Sequence, residues 1–225
     1  MDLPTRRCDE VFHIGTLDAA DKGSVFSSSY EGHGLSVSEC PEEWERIAEL
    51  GGLPWWELSR PGGRFADAHM LDEEQRACVE AWGIGQGLVE RVLAYKVSWY
   101  DSDREDSVYM LFIDETEARD ELGEAEDEER QDRKLEKVEV LQGTTLLDSD
   151  MGFSTGLDCF DFLLITYVEK ETELDGVWWD DILDGDLSAP RGVIFPERVS
   201  AWQITKIREP QLTIRATENE PGIDF

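Results

Sequence analysis

The sequence predicts an α+β fold. Short strand-like runs recur along the whole chain, helices with recognisable start and stop signals fall between them, and residues 93 to 113 read as a hairpin. With 225 residues the chain can bury a sizeable core as one domain, without needing a second.

Phe12-His13-Ile14 reads as a strand broken by Gly15-Thr16, and residues 18 to 33, rich in Ser and Gly, as a loop. Gly34-Leu35-Ser36-Val37-Ser38 resumes as an alternating strand. Pro41 stands where a first helical residue belongs, because its missing N–H has no intrahelical partner to lose there. Trp44, Ile47 and Ala48 then share one helical face, and Gly51-Gly52 ends the turn. Trp55-Trp56-Glu57-Leu58 reads as a strand, and Arg60 to Arg64 as a tight turn into Phe65 to His69. Asp72 is placed to cap a helix from Glu73 to about Trp82. The Gly83-Ile84-Gly85-Gln86-Gly87 run reads as a loop. It follows a helix rather than a strand and completes neither phosphate-binding glycine pattern, which argues against a phosphate cradle.

The hairpin pairs LAYKVSWY with VYMLFI across a polar turn at Asp101 to Ser107. Asp114-Glu115-Thr116-Glu117 then opens an acidic helix expected to reach about Leu135, with a thin apolar stripe of Ala118, Leu122 and Ala125. Leu157, Phe160, Leu164, Ile165 and Val168 keep helical spacing up to Glu171. Strands at Leu174 to Trp179, Val193 to Phe195 and Ala201 to Ile207 close the chain, and 209–225 reads as a loose tail. Residues 72 to about 150 read as an insertion.

Charge narrows the partners. With 52 acidic and 21 basic residues the net is −31, which disfavours direct binding of nucleic-acid phosphates. The acids are spread over the whole chain, the pattern of a solvated surface; the competing reading is an acidic decoy, a nucleic-acid mimic that occupies a basic protein partner. No apolar run approaches a membrane span and the N-terminus lacks the apolar core of a secretory signal, so a cytoplasmic protein without membrane contact is expected. Cys8, Cys40, Cys78 and Cys159 are widely separated, make no metal-binding spacing with His13, His33 or His69, and read as reduced thiols.

The most aromatic stretch is Asp175 to Phe195, DGVWWDDILDGDLSAPRGVIF. Strand alternation sends Trp178 and Trp179 to opposite faces, so one is expected in the core and the other beside a ligand. Arg191, between Pro190 and Gly192 and close to both tryptophans, is suited to gripping a phosphate or carboxylate. The stretch is expected to form one wall of a cleft, with Phe12 to Ser38 as the other.

The ordered set Phe12-His13-Ile14-Gly15-Thr16, Gly34-Leu35-Ser36-Val37-Ser38, Pro41-Glu42-Glu43-Trp44, Leu174-Asp175-Gly176-Val177-Trp178 and Arg191-Gly192-Val193-Ile194-Phe195-Pro196 resembles ADP-ribosyltransferase folds of the diphtheria-toxin and poly-ADP-ribose-polymerase branch. It covers residues 11 to 70 and 157 to 207. The resemblance implies split mixed and antiparallel sheets around a central cleft with flanking helices, an NAD substrate, and ADP-ribose transfer to a macromolecular target. It implies that His13, Gly15 and Thr16 meet the ribose and nicotinamide amide, with Ser36, Ser38, Trp178, Trp179 and Arg191 completing the nucleotide site. In that branch an aromatic stacks on the nicotinamide and a glutamate steadies the oxocarbenium ion. In this chain the aromatic position holds Ser36, leaving Tyr30 or a tryptophan of Trp178-Trp179 to stack. The glutamate position falls at about Arg191, leaving Asp180, Asp181 or Glu197 as substitute carboxylates.

Overall fold

The computed structural model describes residues 2–17, 30–31, 34–48, 50–101, 106–124, 130–144, 157, 159–179, 182–184, 187–188 and 190–209. In chain order its strands are β1 (Thr5–Arg7), β2 (Glu10–Ile14), β3 (Tyr30–Glu31), β4 (Gly34–Ser38), β5 (Trp55–Ser59), β6 (Arg64–Asp67), β7 (Val89–Asp101), β8 (Asp106–Phe112), β9 (Arg130–Gly143), β10 (Gly176–Trp179), β11 (Ile182–Asp184), β12 (Leu187–Ser188), β13 (Arg191–Ile194) and β14 (Gln203–Arg208). The helices are α1 (Pro41–Ile47), α2 (Glu73–Gly85), α3 (Glu115–Glu124), α4 (Phe160–Glu171) and α5 (Pro196–Val199). The chain is α+β, as expected.

The large sheet runs β1-β6-β10-β13-β4-β2-β5-β14, with β3 also on β4. Its neighbours are antiparallel except β6 and β10. A parallel pair needs a crossover, and here it carries α2, the separate antiparallel sheet β8-β7-β9 with α3, and then α4.

Strand alternation sorts the large sheet into two faces. Leu35, Val37, Val11, Leu58, Phe65, Trp178 and Ile194 share one buried cluster with Trp202. On the other face Val177, Trp179 and Val193 pack under α2 and α4, while Ile14 and Trp55 pack under α1 with Leu50. The two tryptophans therefore divide between faces as alternation predicts.

Three glycines are fixed by close approach. A Cβ on Gly192 would overlap the Trp178 ring, one on Gly176 would overlap the Val193 carbonyl, and one on Gly83 would overlap Leu163 where α2 crosses α4. Gly83 and Gly85 thus lie inside α2 rather than in the expected loop, because the α2–α4 contact outweighs glycine's poor helix propensity. The capping box at Asp72 is present: its side chain accepts from the Gln75 N–H, and Gln75 accepts from the Asp72 N–H.

The acidic helix is shorter than expected. α3 ends at Glu124, and Arg130–Gly143 is instead a long strand on β7. Val138 and Val140 take their alternation from that pairing, and tertiary pairing has overridden the local helix-forming composition. Within residues 72–150, Val97, Trp99 and Ala118 form a small cluster of their own, while Val79, Val89 and Leu141 join the core beneath α2 and α4.

Asp175 joins three strands. Its carboxylate is 4% exposed, pairs with Arg60, and accepts from the Arg64 N–H at 2.8 Å. Its own N–H donates to the Arg64 carbonyl, and its carbonyl accepts from the Phe195 N–H. Removing one partner of a buried pair costs about 3–5 kcal/mol. Asp175→Asn is expected to lower unfolding free energy by about that much in urea titrations, whereas Glu173→Gln, whose exposed carboxylate pairs with Arg198, should leave the midpoint nearly unchanged.

Candidate ligand-binding row on the large sheet

Of the stretches 175–195 and 12–38, the described strands β10 and β13 do not face β2 and β4 across a gap. β13 is hydrogen-bonded directly to β4, so the two segments are neighbours in one sheet. Register then decides which side chains meet. Trp179 lies opposite Arg191, Arg191 opposite Ser38, Ser38 opposite Phe12, and Phe12 opposite Glu57. These five residues form one cross-strand row on the face shared by α1, α2 and α4, spanning about 19 Å at ordinary strand spacing. Ser36 stands on the same face in the next row, opposite Val193.

The groups in this row differ in what they offer. The Arg191 guanidinium lies 5.6 Å from the centre of the Trp179 ring, and burial lowers its pKa from the ordinary value while leaving it cationic. Among the described residues the Trp179 indole N–H is buried without a hydrogen-bond partner, as are those of Trp178 and Trp202 in the core on the opposite face. Such a donor is costly unless something accepts from it. The Ser38 hydroxyl is occupied: it donates to the Pro190 carbonyl at 2.7 Å and accepts from the Cys40 N–H at 3.1 Å. Ser38 therefore fastens the end of β4 to the start of β13. Phe12 and Glu57 are half-buried. Neither was among the residues expected from sequence, although a lone carboxylate in the middle of Trp55-Trp56-Glu57-Leu58 is a visible signal.

The remaining predicted residues lie elsewhere. His13 stands on the opposite face from the row, 1% exposed, opposite Trp56. Its Nδ1 is 2.8 Å from the Ser36 carbonyl and its Nε2 is 3.2 Å from the Thr16 carbonyl. β2 and β4 share a single residue pair, Phe12 with Ser38, and part beyond it. The His13 ring bridges the parted strands. The Gly15 carbonyl accepts from the Trp56 indole N–H at 2.9 Å, and the Gly15 N–H donates to Pro54. With φ 136°, Gly15 adopts a conformation that side-chain-bearing residues avoid. His13, Gly15 and Thr16 therefore hold the end of β2, while Ser38, Trp179 and Arg191 meet in the row.

Trp178 is fully buried, with Arg6 5.2 Å above its ring and Arg6 paired to Glu39 at 2.6 Å. Glu197 is exposed in the first turn of α5, at the far end of β13 from Arg191. Asp180 and Asp181 lie outside the described residues, as does the side chain of Tyr30. Among the described residues the four cysteines are free thiols, and no group of His, Cys, Asp and Glu is arranged to hold a metal ion. Burial, aided by the Glu39 carboxylate, pushes the Cys8 thiol up to about 12, so it stays protonated and unreactive. No described helix is long and apolar enough to cross a membrane.

Comparison with known proteins gives no match to a family model, to a curated protein or to a solved structure.

Burial pushes the His13 pKa down, more than its two carbonyl contacts push it up. The ring is therefore neutral at pH 7, with the shorter contact placing its proton on Nδ1. Below about 6.5 the unfolded chain takes up a proton that the folded ring resists, so stability falls as pH drops through that value toward the lowered folded pKa. Above it His13 contributes no slope. Urea unfolding between pH 7.5 and 5 should show a steeper loss of stability in the wild type than in His13→Asn; equal slopes would exclude the assignment.

Proposed function

We propose that the protein is an ADP-ribosyltransferase-like domain that binds NAD or a related nucleotide along the Trp179–Arg191–Ser38–Phe12–Glu57 row. The observation that carries this reading is register: the four strands bearing the resembling motifs, β10, β13, β4 and β2, are consecutive in the sheet and bring Trp179, Arg191 and Phe12 onto one face. A guanidinium beside an indole ring, with a second aromatic two strands along the row, suits a ligand that combines phosphates with flat rings. Arg191 grips the anion, the Trp179 N–H adds a second donor, and Phe12 offers an apolar surface to a base or nicotinamide.

Binding stands ahead of turnover. The position of the expected glutamate carries Arg191, and Glu197 is remote from the row. Glu57 is the carboxylate in the row, three strands from Arg191. If transfer to a protein target occurs, Glu57 is the group placed to stabilise positive charge on the ribose.

Calorimetry with NAD tests the reading. A hydrogen-bonded charge contributes about 1.5–3 kcal/mol, so Arg191→Ala should weaken NAD binding ~10–100-fold. His13→Asn should change stability more than affinity. Absence of NAD binding, NAD hydrolysis and NAD-dependent thermal stabilisation in the wild type would remove the proposal.

The second reading is a non-enzymatic acidic inhibitor that blocks a basic protein partner. It is favoured by α3, which carries Glu115, Glu117, Asp120, Glu121 and Glu124 against Arg119 alone. Reversing the charges of Glu117, Asp120 and Glu121 should then abolish salt-sensitive capture of a basic partner; unchanged capture would sink this alternative.

A further inference from the structure

The two larger sheets end in β1 and β14, and in β8 and β9. An outer strand presents main-chain N–H and C=O groups to any other strand that approaches, and short length or charged side chains discourage such pairing. β1 has three residues, two of them arginines, and β14 carries Lys206 and Arg208. β9 is charged at Asp132, Arg133, Lys134, Glu136, Lys137 and Glu139. β8 differs from all three. Ser107 to Ile113 holds neither a charge nor a proline, in a chain of which 32% is charged, and among the described residues β8 pairs with β7 alone. No residue from Ser107 to Ile113 is buried, and Met110 and Ile113 are 43% and 46% exposed. An apolar, uncharged segment at a sheet edge is a template for an added strand.

Two unlike faces meet at that edge. Met110 stands opposite Val97, on the side where Val97 packs with Ala118 of α3, and Val108 and Phe112 share that side. Tyr109, Leu111 and Ile113 alternate onto the reverse. Beyond β8 the chain turns at Asp114 into α3, which carries Glu115, Glu117, Asp120, Glu121 and Glu124 against Arg119, itself paired with Glu115. An incoming strand therefore meets carboxylates on one side and apolar side chains on the other. We propose that the edge of β8 docks an extended segment of a basic protein partner as the next strand of the sheet. Its basic residues point toward α3 and its apolar residues toward Tyr109, Leu111 and Ile113. A second copy fits poorly, because antiparallel pairing of β8 with itself keeps both α3 helices on one side of the joined sheet, acids beside acids. This docking rests on the second functional reading, to which it adds a place and a sequence pattern.

A synthetic peptide, acetyl-Lys-Val-Lys-Val-Lys-Val-Lys-amide, matches that pattern, and acetyl-Lys-Lys-Lys-Lys-Val-Val-Val-amide has the same composition without it. In fluorescence anisotropy with the full chain the alternating peptide should bind ~10-fold or more tightly, the difference being the backbone hydrogen bonds of a paired strand. Its binding should slow amide hydrogen exchange across 107–113 and leave β9 and β14 unchanged. Ile113→Glu, at an exposed position, should weaken the alternating peptide by removing an apolar contact, although it adds a negative charge; capture by charge alone would strengthen. Equal affinity for the two peptides, binding of neither, protection outside β8, unchanged or tighter binding to Ile113→Glu, or a dimer in sedimentation with its exchange protection on β8 would each overturn the proposal. Equal affinity that disappears on reversing Glu117, Asp120 and Glu121 would overturn the strand docking and leave the basic-partner reading standing. Binding of the alternating peptide untouched by that reversal would overturn both.

Discussion

The arrangement of the large sheet depends on the buried carboxylate of Asp175. Its side chain satisfies Arg60 and the Arg64 N–H, and its backbone reaches Arg64 on β6 and Phe195 beyond β13. One residue therefore ties the only parallel neighbour of β10 to its antiparallel one. A charge 4% exposed is tolerable only when its lone pairs are taken, and these partners exist only in the native register. Slipping β10 by one residue would strand that charge and send Trp178 and Trp179 to each other's faces. The glycines at 176 and 192 restrict the same register sterically, since a side chain at either would strike a backbone carbonyl or the Trp178 ring.

Register in turn makes the candidate site. Trp179, Arg191, Ser38, Phe12 and Glu57 come from five different strands and meet only because each pairing is fixed. Within the row the roles divide by hydrogen bonding: the Ser38 hydroxyl is consumed by the chain itself, while the Trp179 N–H has no acceptor among the described residues. His13 illustrates the same division on the other face. A histidine with both ring nitrogens against main-chain carbonyls and almost no exposed surface fastens two strands where their pairing ends.

Much of this was legible from residue patterns. Pro41 and Asp72 announced their helices because proline loses nothing at a first helical position and an aspartate can accept the free N–H groups of a first turn. Trp178-Trp179 were legible as a pair divided between two faces. Other features were hidden. Gly83 and Gly85 read as loop because glycine is a poor helix former, and only the close approach of Leu163 explains their place in α2. Arg130–Gly143 read partly as helix because its charged residues suit either state, and pairing with β7 decided it.

Composition and local patterning by themselves determined the fold class, most element positions, the acidic surface and the importance of Asp175 to Phe195. These follow from backbone sterics, hydrophobic periodicity and charge, which act over a few residues or over the whole chain without regard to topology. Only the tertiary structure decided that this stretch lies beside Phe12 to Ser38 rather than facing it, that His13 and Arg191 stand on opposite faces, and that Phe12 and Glu57 join the row. Those are consequences of which strands pair and in what register, and pairing between segments as far apart as β6 and β10 or β4 and β13 leaves no mark on either segment alone.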